Sequence, residues 1–228
     1  MAPRLASPAG AAPAPRILPP HRGRAKRALA GTDPIMAGLI AAHPRVRMVS
    51  RGDGFSTLVR SIVGQQISVK AADSVWARLC ERCPQITPEA LLRRRAATLR
   101  SCGLSGRKVE YLQDLARHFD AGRVRMEDLA GLADEEVIEI LTEIRGIGRW
   151  TAEMFLIFNL LRPDVFPVDD LGLLKAVGLH YFDGTPCAEL LRGAGRQKVL
   201  QLGAAWAPYR SVATWYLWRS LDPVPVEY

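Results

Sequence analysis

The sequence predicts an all-α protein. Three observations carry this. Apolar residues recur at spacings of three and four, sustained period-two alternation is absent, and serines, aspartates, glycines and prolines punctuate the apolar runs where helix ends belong. The clearest run is 109–119, where Val109, Leu112, Leu115, Ala116 and Phe119 form one stripe of a 3.6-residue period.

Taken in chain order, residues 1–32 are rich in Pro, Ala and Gly and lack any apolar run, so they read as a disordered basic tail. The helical domain then spans 33–228. Its expected helices are 33–43, 55–63, 68–82, 88–93, 106–119, 134–144, 149–161, 170–178, 195–202 and 209–220. Ser68 and Ser105 stand where their hydroxyls can accept first-turn N–H groups, and Asp134 opens a helix with acidic residues in its first turn. Pro84, Gly103, Gly122 and Gly146 mark stops.

The chain has 228 residues, 48% of them apolar, enough for one unit or two small lobes. Its net charge is +8 and its pI is about 9.7, which point to a polyanionic partner. Six of the 31 Lys and Arg (Arg4, Arg16, Arg22, Arg24, Lys26, Arg27) lie in the acid-free tail, leaving 25 basic against 23 acidic residues elsewhere. There is no secretory h-region and no apolar stretch long enough for a membrane span. A cytoplasmic, nucleoid-associated monomer is expected, with an Arg-rich transit peptide left open. Cys80 and Cys83 share a C-x-x-C spacing, but Cys102 and Cys187 form no second pair. Idle thiols in a reducing compartment are the better reading, with no metal and no cofactor.

The stretch "IRGIGRWTAEMF" (144–155) carries the chemistry. Gly146 ends one helix, Ile147 can plug the turn into the core, and Gly148 frees the backbone to turn and to approach a partner. The next helix begins at once, and its first N–H groups form an anion site at the positive end of the dipole. Arg145 and Arg149 flank it. From Gly-x-Gly alone, an ordinary helix–turn–helix corner is the better reading. Twenty residues past Trp150, "VFPVDD" places Asp169 and Asp170 at the mouth of a helix. One of the two is expected to cap it.

"GIGRWTA" followed by "VFPVDD" resembles the helix-hairpin-helix DNA glycosylase superfamily, and within it the bacterial and fungal 3-methyladenine DNA glycosylases. "SIVGQQISVKAA" (61–72), "GLSGRKVEYLQDLA" (103–116) and "WAPYRSVATWYLW" (206–218) are similar to further family stretches. The resemblance runs from Phe55 to Trp218. It implies a two-lobed helical fold with the active site in the cleft between lobes, and double-stranded DNA containing damaged bases as partner.

The resemblance implies that Asp170 is the catalytic carboxylate and that Gly146, Ile147 and Gly148, with Arg145 and Arg149, bind the DNA backbone. Arg107, Lys108 and Arg210 are further candidate phosphate contacts. Gln66 takes the place of the side chain that fills the gap left by an extruded base. Trp150, Trp218, Met154, Tyr209 and Phe55 are expected in the base pocket. Strand-cleaving relatives carry a Schiff-base lysine where Trp150 stands, so the resemblance is to the monofunctional branch. Some relatives have an aromatic residue at the place of Met154, so the range of bases accepted stays open. The expected reaction is hydrolysis of the N-glycosidic bond of an alkylated purine after base flipping. A glycosylase for a neutral damaged or mismatched base and a non-catalytic helix-hairpin-helix DNA-binding module are the alternatives. Mismatch-adenine relatives carry a four-cysteine loop that this chain lacks.

Overall fold

The stripe expected at 109–119 becomes the spine of one of two helical units in a computed structural model of the chain, which describes residues 19–44, 48, 50 and 53–221. Fourteen helices occur among the described residues, and the only extended feature is a single bridging residue, Ser50.

The first unit spans 51–148. It holds α3 (Gly54–Gly64), α4 (Val69–Arg82), α5 (Pro88–Leu92), α6 (Ala96–Ser101), α7 (Gly106–Asp120), α8 (Met126–Leu129) and α9 (Asp134–Thr142). Helix α7 is its centre, packed by α3, α5 and α6. Its buried Val109, Leu112, Leu115 and Ala116 supply the contact face, each large side chain contributing about 1.5–3 kcal/mol on burial. Ser68 and Ser105 cap α4 and α7 by accepting the N–H groups of Ala71 and Lys108, as their positions predict. Gly103, Gly122 and Gly146 all take positive φ at the expected stops.

The second unit comprises 16–50 and 149–228. It holds α1 (Arg22–Thr32), α2 (Pro34–Ala42), α10 (Arg149–Phe158), α11 (Leu171–Tyr181), α12 (Cys187–Leu190), α13 (Gly193–Ala205) and α14 (Arg210–Leu221). Helix α14 is buried on nearly every side and packs against α1, α2 and α11. Asp33 caps α2 through the Met36 N–H, and its other oxygen accepts from the Tyr181 hydroxyl at 2.7 Å and the Trp206 indole at 2.9 Å. Burial and that carboxylate push the Tyr181 hydroxyl well above the ordinary phenol range.

The disordered tail is corrected over 22–32, which form α1; residues 1–18 lie outside the described residues. Ala25 and Leu29, one turn apart, are buried, while Arg24 and Arg27 face solvent. The Lys26 ammonium sits 5.5 Å from the centre of the Tyr216 ring. A two-residue stripe inside a basic, Gly-containing segment leaves little periodicity to read. The helices α6, α8 and α12 escape sequence reading for a related reason, being only four to six residues long.

Candidate active site and nucleic-acid interface

Within the second unit, three helices converge on one carboxylate. Asp170 is the N-cap of α11: its Oδ1 accepts the Leu173 N–H at 2.6 Å. The same oxygen accepts the Trp218 indole N–H at 2.7 Å, and Oδ2 accepts the Trp150 indole N–H at 2.8 Å. One donor comes from the first turn of α10, one from α11 and one from α14. Three donors fix both the position and the plane of the carboxylate before any substrate arrives.

The two indoles differ in setting. Trp218 is half-buried and stacks on Phe158, with ring centres 5.9 Å apart and planes 22° from parallel. Trp150 is 40% exposed, unusual for so large an apolar ring. Its N–H is committed to Asp170, so what it presents to solvent is ring. Gly172 leaves room at the convergence, since a Cβ there would make tight contacts 3.1 Å from Asp170 Oδ1 and 3.2 Å from Trp218 Cδ1. Sequence reading passed over Gly172; its signal is a glycine in the first turn of a helix, where it weakens the helix unless packing requires it.

The structure also shows which of the two aspartates caps the helix. Asp170, the residue the resemblance makes catalytic, is itself the cap. Asp169 is exposed and pairs with the Arg196 guanidinium. Met154 is buried one turn after Trp150 on α10. Tyr209 is half-buried and stacks on His21 at 6.5 Å. Phe55 belongs to the first unit, buried edge-on to Phe119 at 5.0 Å. Tyr209 and Phe55 thus have packing partners of their own, and of the five pocket candidates only Trp150 and Trp218 bond to the carboxylate.

In the first unit the chain reverses after α9. Gly146 has φ +87°, and a Cβ on it would lie 2.2 Å from Tyr111 Cδ2. Ile147 is buried, as expected of a plug, and its N–H returns to the Ile144 carbonyl at 3.1 Å. Gly148 is exposed and a Cβ there would meet nothing within 4 Å. The turn therefore depends on Gly146. Gly148, whose φ is not in the left-handed range, contributes open space rather than the bend.

The flanking arginines are both ion-paired. Arg145 donates its N–H to Asp114 at 2.9 Å and its guanidinium to Glu110 at 3.3 Å. Burial raises the Asp114 carboxyl, but the Arg145 N–H, the Arg117 guanidinium and His118 outweigh it and hold it below its usual range. Arg149 Nε lies 3.2 Å from Glu153, a buried carboxylate one turn along α10. The Arg145–Glu110 pair is exposed and worth only ~0–1 kcal/mol, whereas the Arg149 pair compensates a buried carboxylate.

The remaining phosphate candidates divide. Arg107 is exposed at the start of α7. Lys108 instead donates Nζ to the Val63 carbonyl at 2.8 Å near the end of α3, and burial lowers its pKa. Arg210 is paired: its guanidinium forks onto both oxygens of Asp164 at 2.8 Å, and its N–H adds a third bond. Gln66 is exposed in the turn between α3 and α4, with φ +58°, a backbone conformation few non-glycine residues adopt. Beside it, Ile67 and Val69 are also exposed.

All four cysteines are free thiols, and burial pushes those of Cys80 and Cys102 up. Among the described residues no group of three or more His, Cys, Asp or Glu could hold a metal ion, and no helix is long and apolar enough to cross a membrane.

A glycine hairpin between helices, with an aspartate capping a later helix beneath two indoles, defines a class of base-excision protein. Residues 59–198 match that class, and the chain belongs to the HhH-GPD superfamily of base excision DNA repair proteins. It is 35% identical over 186 residues to DNA-3-methyladenine glycosylase 1 of Schizosaccharomyces pombe, covering 80% of this chain and 78% of that one. It is 34% identical over 196 residues to the DNA-3-methyladenine glycosylase of Saccharomyces cerevisiae, covering 73% of this chain and 66% of that one. Among solved structures, the Bacillus halodurans DNA-3-methyladenine glycosidase superposes with a TM-score of 0.74 at 37% identity, over 86% of this chain and 87% of that one. The S. pombe 3-methyladenine DNA glycosylase in complex with abasic DNA superposes with a TM-score of 0.71 at 32% identity, over 86% and 96%.

Proposed function

We propose that the protein is a monofunctional DNA glycosylase that flips alkylated purines, chiefly 3-methyladenine and more weakly 7-methylguanine, out of duplex DNA and hydrolyses their N-glycosidic bond. One observation carries the substrate class: the Trp150 ring is exposed while its N–H is bound to Asp170. A flat cationic base that stacks on that ring has its sugar end beside the carboxylate. Hydrogen bonding to a carboxylate also polarises the indole toward a more negative face, which favours a cation above it.

The chemistry follows from charge. Breaking the C1′–N bond builds positive charge on the sugar while the bonding electrons leave with the base. The Asp170 carboxylate stabilises that charge and accepts a proton from the attacking water, or orients it. A base that is already cationic leaves as a neutral molecule, so departure needs no added proton. The hairpin holds the strand by a phosphate, without reading sequence. Gln66 wedges into the stack as the damaged nucleotide leaves, which costs a few kcal/mol of unstacking. The protein acts as a monomer.

Removing the Trp150 ring tests the cation argument. Trp150→Ala should slow release of 3-methyladenine about 10–100-fold in single-turnover assays, corresponding to ~2 kcal/mol of cation–π attraction plus stacking. Trp150→Phe keeps a face but loses the N–H to Asp170, and should retain part of the rate. Hypoxanthine and ethenoadenine, neutral bases of similar shape, should be released more slowly and depend less on the substitution. If they leave as fast, or if Trp150→Ala slows both classes equally, the site reads shape alone.

The absence of strand cleavage has its own test. Trp150 offers no amine where a lyase would have one, so borohydride should trap no covalent adduct between the wild-type protein and lesion DNA. A trapped adduct would place this chain in the strand-cleaving branch.

A further inference from the structure

We propose that Gln65 is a positioning residue that ties the Gln66 turn to the glycine hairpin, so that penetration of the base stack is coupled to the grip on the backbone. This rests on the DNA-glycosylase reading above and concerns two loops of the first unit. Gln65 is half-buried, and its Nε2 donates to the Gly146 carbonyl at 2.8 Å, across 81 residues of sequence. The next residue, Gln66, turns outward on a left-handed backbone. Two adjacent amides therefore point in different directions, one into the protein and one to solvent.

The Gly146–Ile147 peptide is held on both edges. Its carbonyl accepts from Gln65, and its N–H donates to the Ile144 carbonyl. The orientation of that peptide sets where the next free N–H group, that of Gly148, is presented. Gln65 thus acts on the anion site without touching the anion.

Helix α7 braces both partners of this bond. Lys108 holds the Val63 carbonyl, two residues before Gln65. Tyr111 packs against Gly146, and Asp114 accepts the Arg145 N–H. The turn and the hairpin are each fastened to the same rigid helix, and Gln65 closes the triangle directly. A wedge must push on the stack while something else holds the strand. Here the reaction to that push passes through one amide into the element that holds the phosphate.

The test uses the full-length protein, a duplex with one 7-methylguanine beside 2-aminopurine, and an undamaged duplex. Gln65→Met keeps the length of the side chain and removes the donor. It should lower the extruded population, read from 2-aminopurine fluorescence, about tenfold, and affinity for undamaged duplex, which reads the grip on the backbone alone, by the smaller factor of about threefold. Gln66→Ala alone should also lower extrusion about tenfold, but should add little on top of Gln65→Met, because an untethered wedge transmits no force. A purely structural Gln65 would lower the melting temperature and give fold-changes that multiply.

Gln65→Glu is the second variant, should Gln65→Met fold poorly. It sets an acceptor against the Gly146 carbonyl and should lower extrusion further than Gln65→Met. Wild-type extrusion in both variants, or multiplying effects with Gln66→Ala, overturns the tether. A wild-type protein that releases no base overturns the functional reading instead, and the two failures are read from separate samples.

Discussion

Asp170→Asn should lower single-turnover base release by at least about 10²–10³-fold while the protein stays folded, because the charge that offsets the developing sugar cation is lost. Asparagine caps helices as well as aspartate does, so the Leu173 N–H keeps an acceptor. One oxygen can go on serving both Leu173 and Trp218. The amide nitrogen must then face Trp150, whose indole N–H loses its acceptor and meets another donor. The variant therefore removes the charge and releases Trp150 together, without dissolving the start of α11. Asp169→Asn is the comparator. Its exposed pair with Arg196 is worth only ~0–1 kcal/mol, so release should change by no more than a few-fold. Release from 7-methylguanine duplexes and melting curves on both variants decide the matter. A rate for Asp170→Asn within tenfold of wild type, or equal losses in the two variants, would remove Asp170 from its assigned role.

What could be read from the sequence was local. Ser68 and Ser105 cap the helices they precede because a cap needs only a hydroxyl three residues before its donor. The stop at Gly146 and the plug at Ile147 are properties of neighbouring residues. The family was legible because the hairpin and the aspartate pair stand at a fixed separation along the chain. Asp170 is a candidate for that reason, but its dual use as cap and as acceptor of two indoles is not legible, since Trp150 and Trp218 lie 20 and 48 residues away.

The same limit applies to two of the cations. Lys108 and Arg210 have the residue types of phosphate ligands. The carbonyl and carboxylate that engage them, on Val63 and Asp164, lie 45 and 46 residues off. Gln65, Tyr111 and Asp114 lie inside stretches that resemble the family, but their partners in the hairpin are 81, 35 and 31 residues away, and no local pattern pairs them. Helix α1 is the opposite case. Its composition is that of a solvated tail, and the two buried residues that fasten it carry too little pattern to outweigh five cations and a histidine between 16 and 27.

The two glycines of the hairpin should separate fold from function. Gly146→Ala forces a side chain onto a backbone at φ +87° and sets its Cβ 2.2 Å from the Tyr111 ring. The left-handed backbone alone costs about 1–2 kcal/mol, and displacing a packed ring brings the total to roughly 2–4 kcal/mol. For a chain of this size that corresponds to about 5–15 °C in melting temperature. DNA binding should fall with it, because the reversal that presents the anion site is lost. Gly148→Ala meets nothing within 4 Å and should leave stability within ~0.5 kcal/mol. Its methyl still occupies space that a phosphate would approach, and Gly148→Asp adds a negative charge there. Both should weaken binding to damaged and undamaged duplexes of any sequence alike, the aspartate more than the alanine, because the contact is to backbone and not to bases. Melting curves and binding isotherms on three or four unrelated duplexes suffice. If Gly148→Asp loses affinity only for particular sequences or only for lesions, the hairpin is not a backbone clamp. If Gly146→Ala melts with the wild type, the Tyr111 contact does not brace the turn.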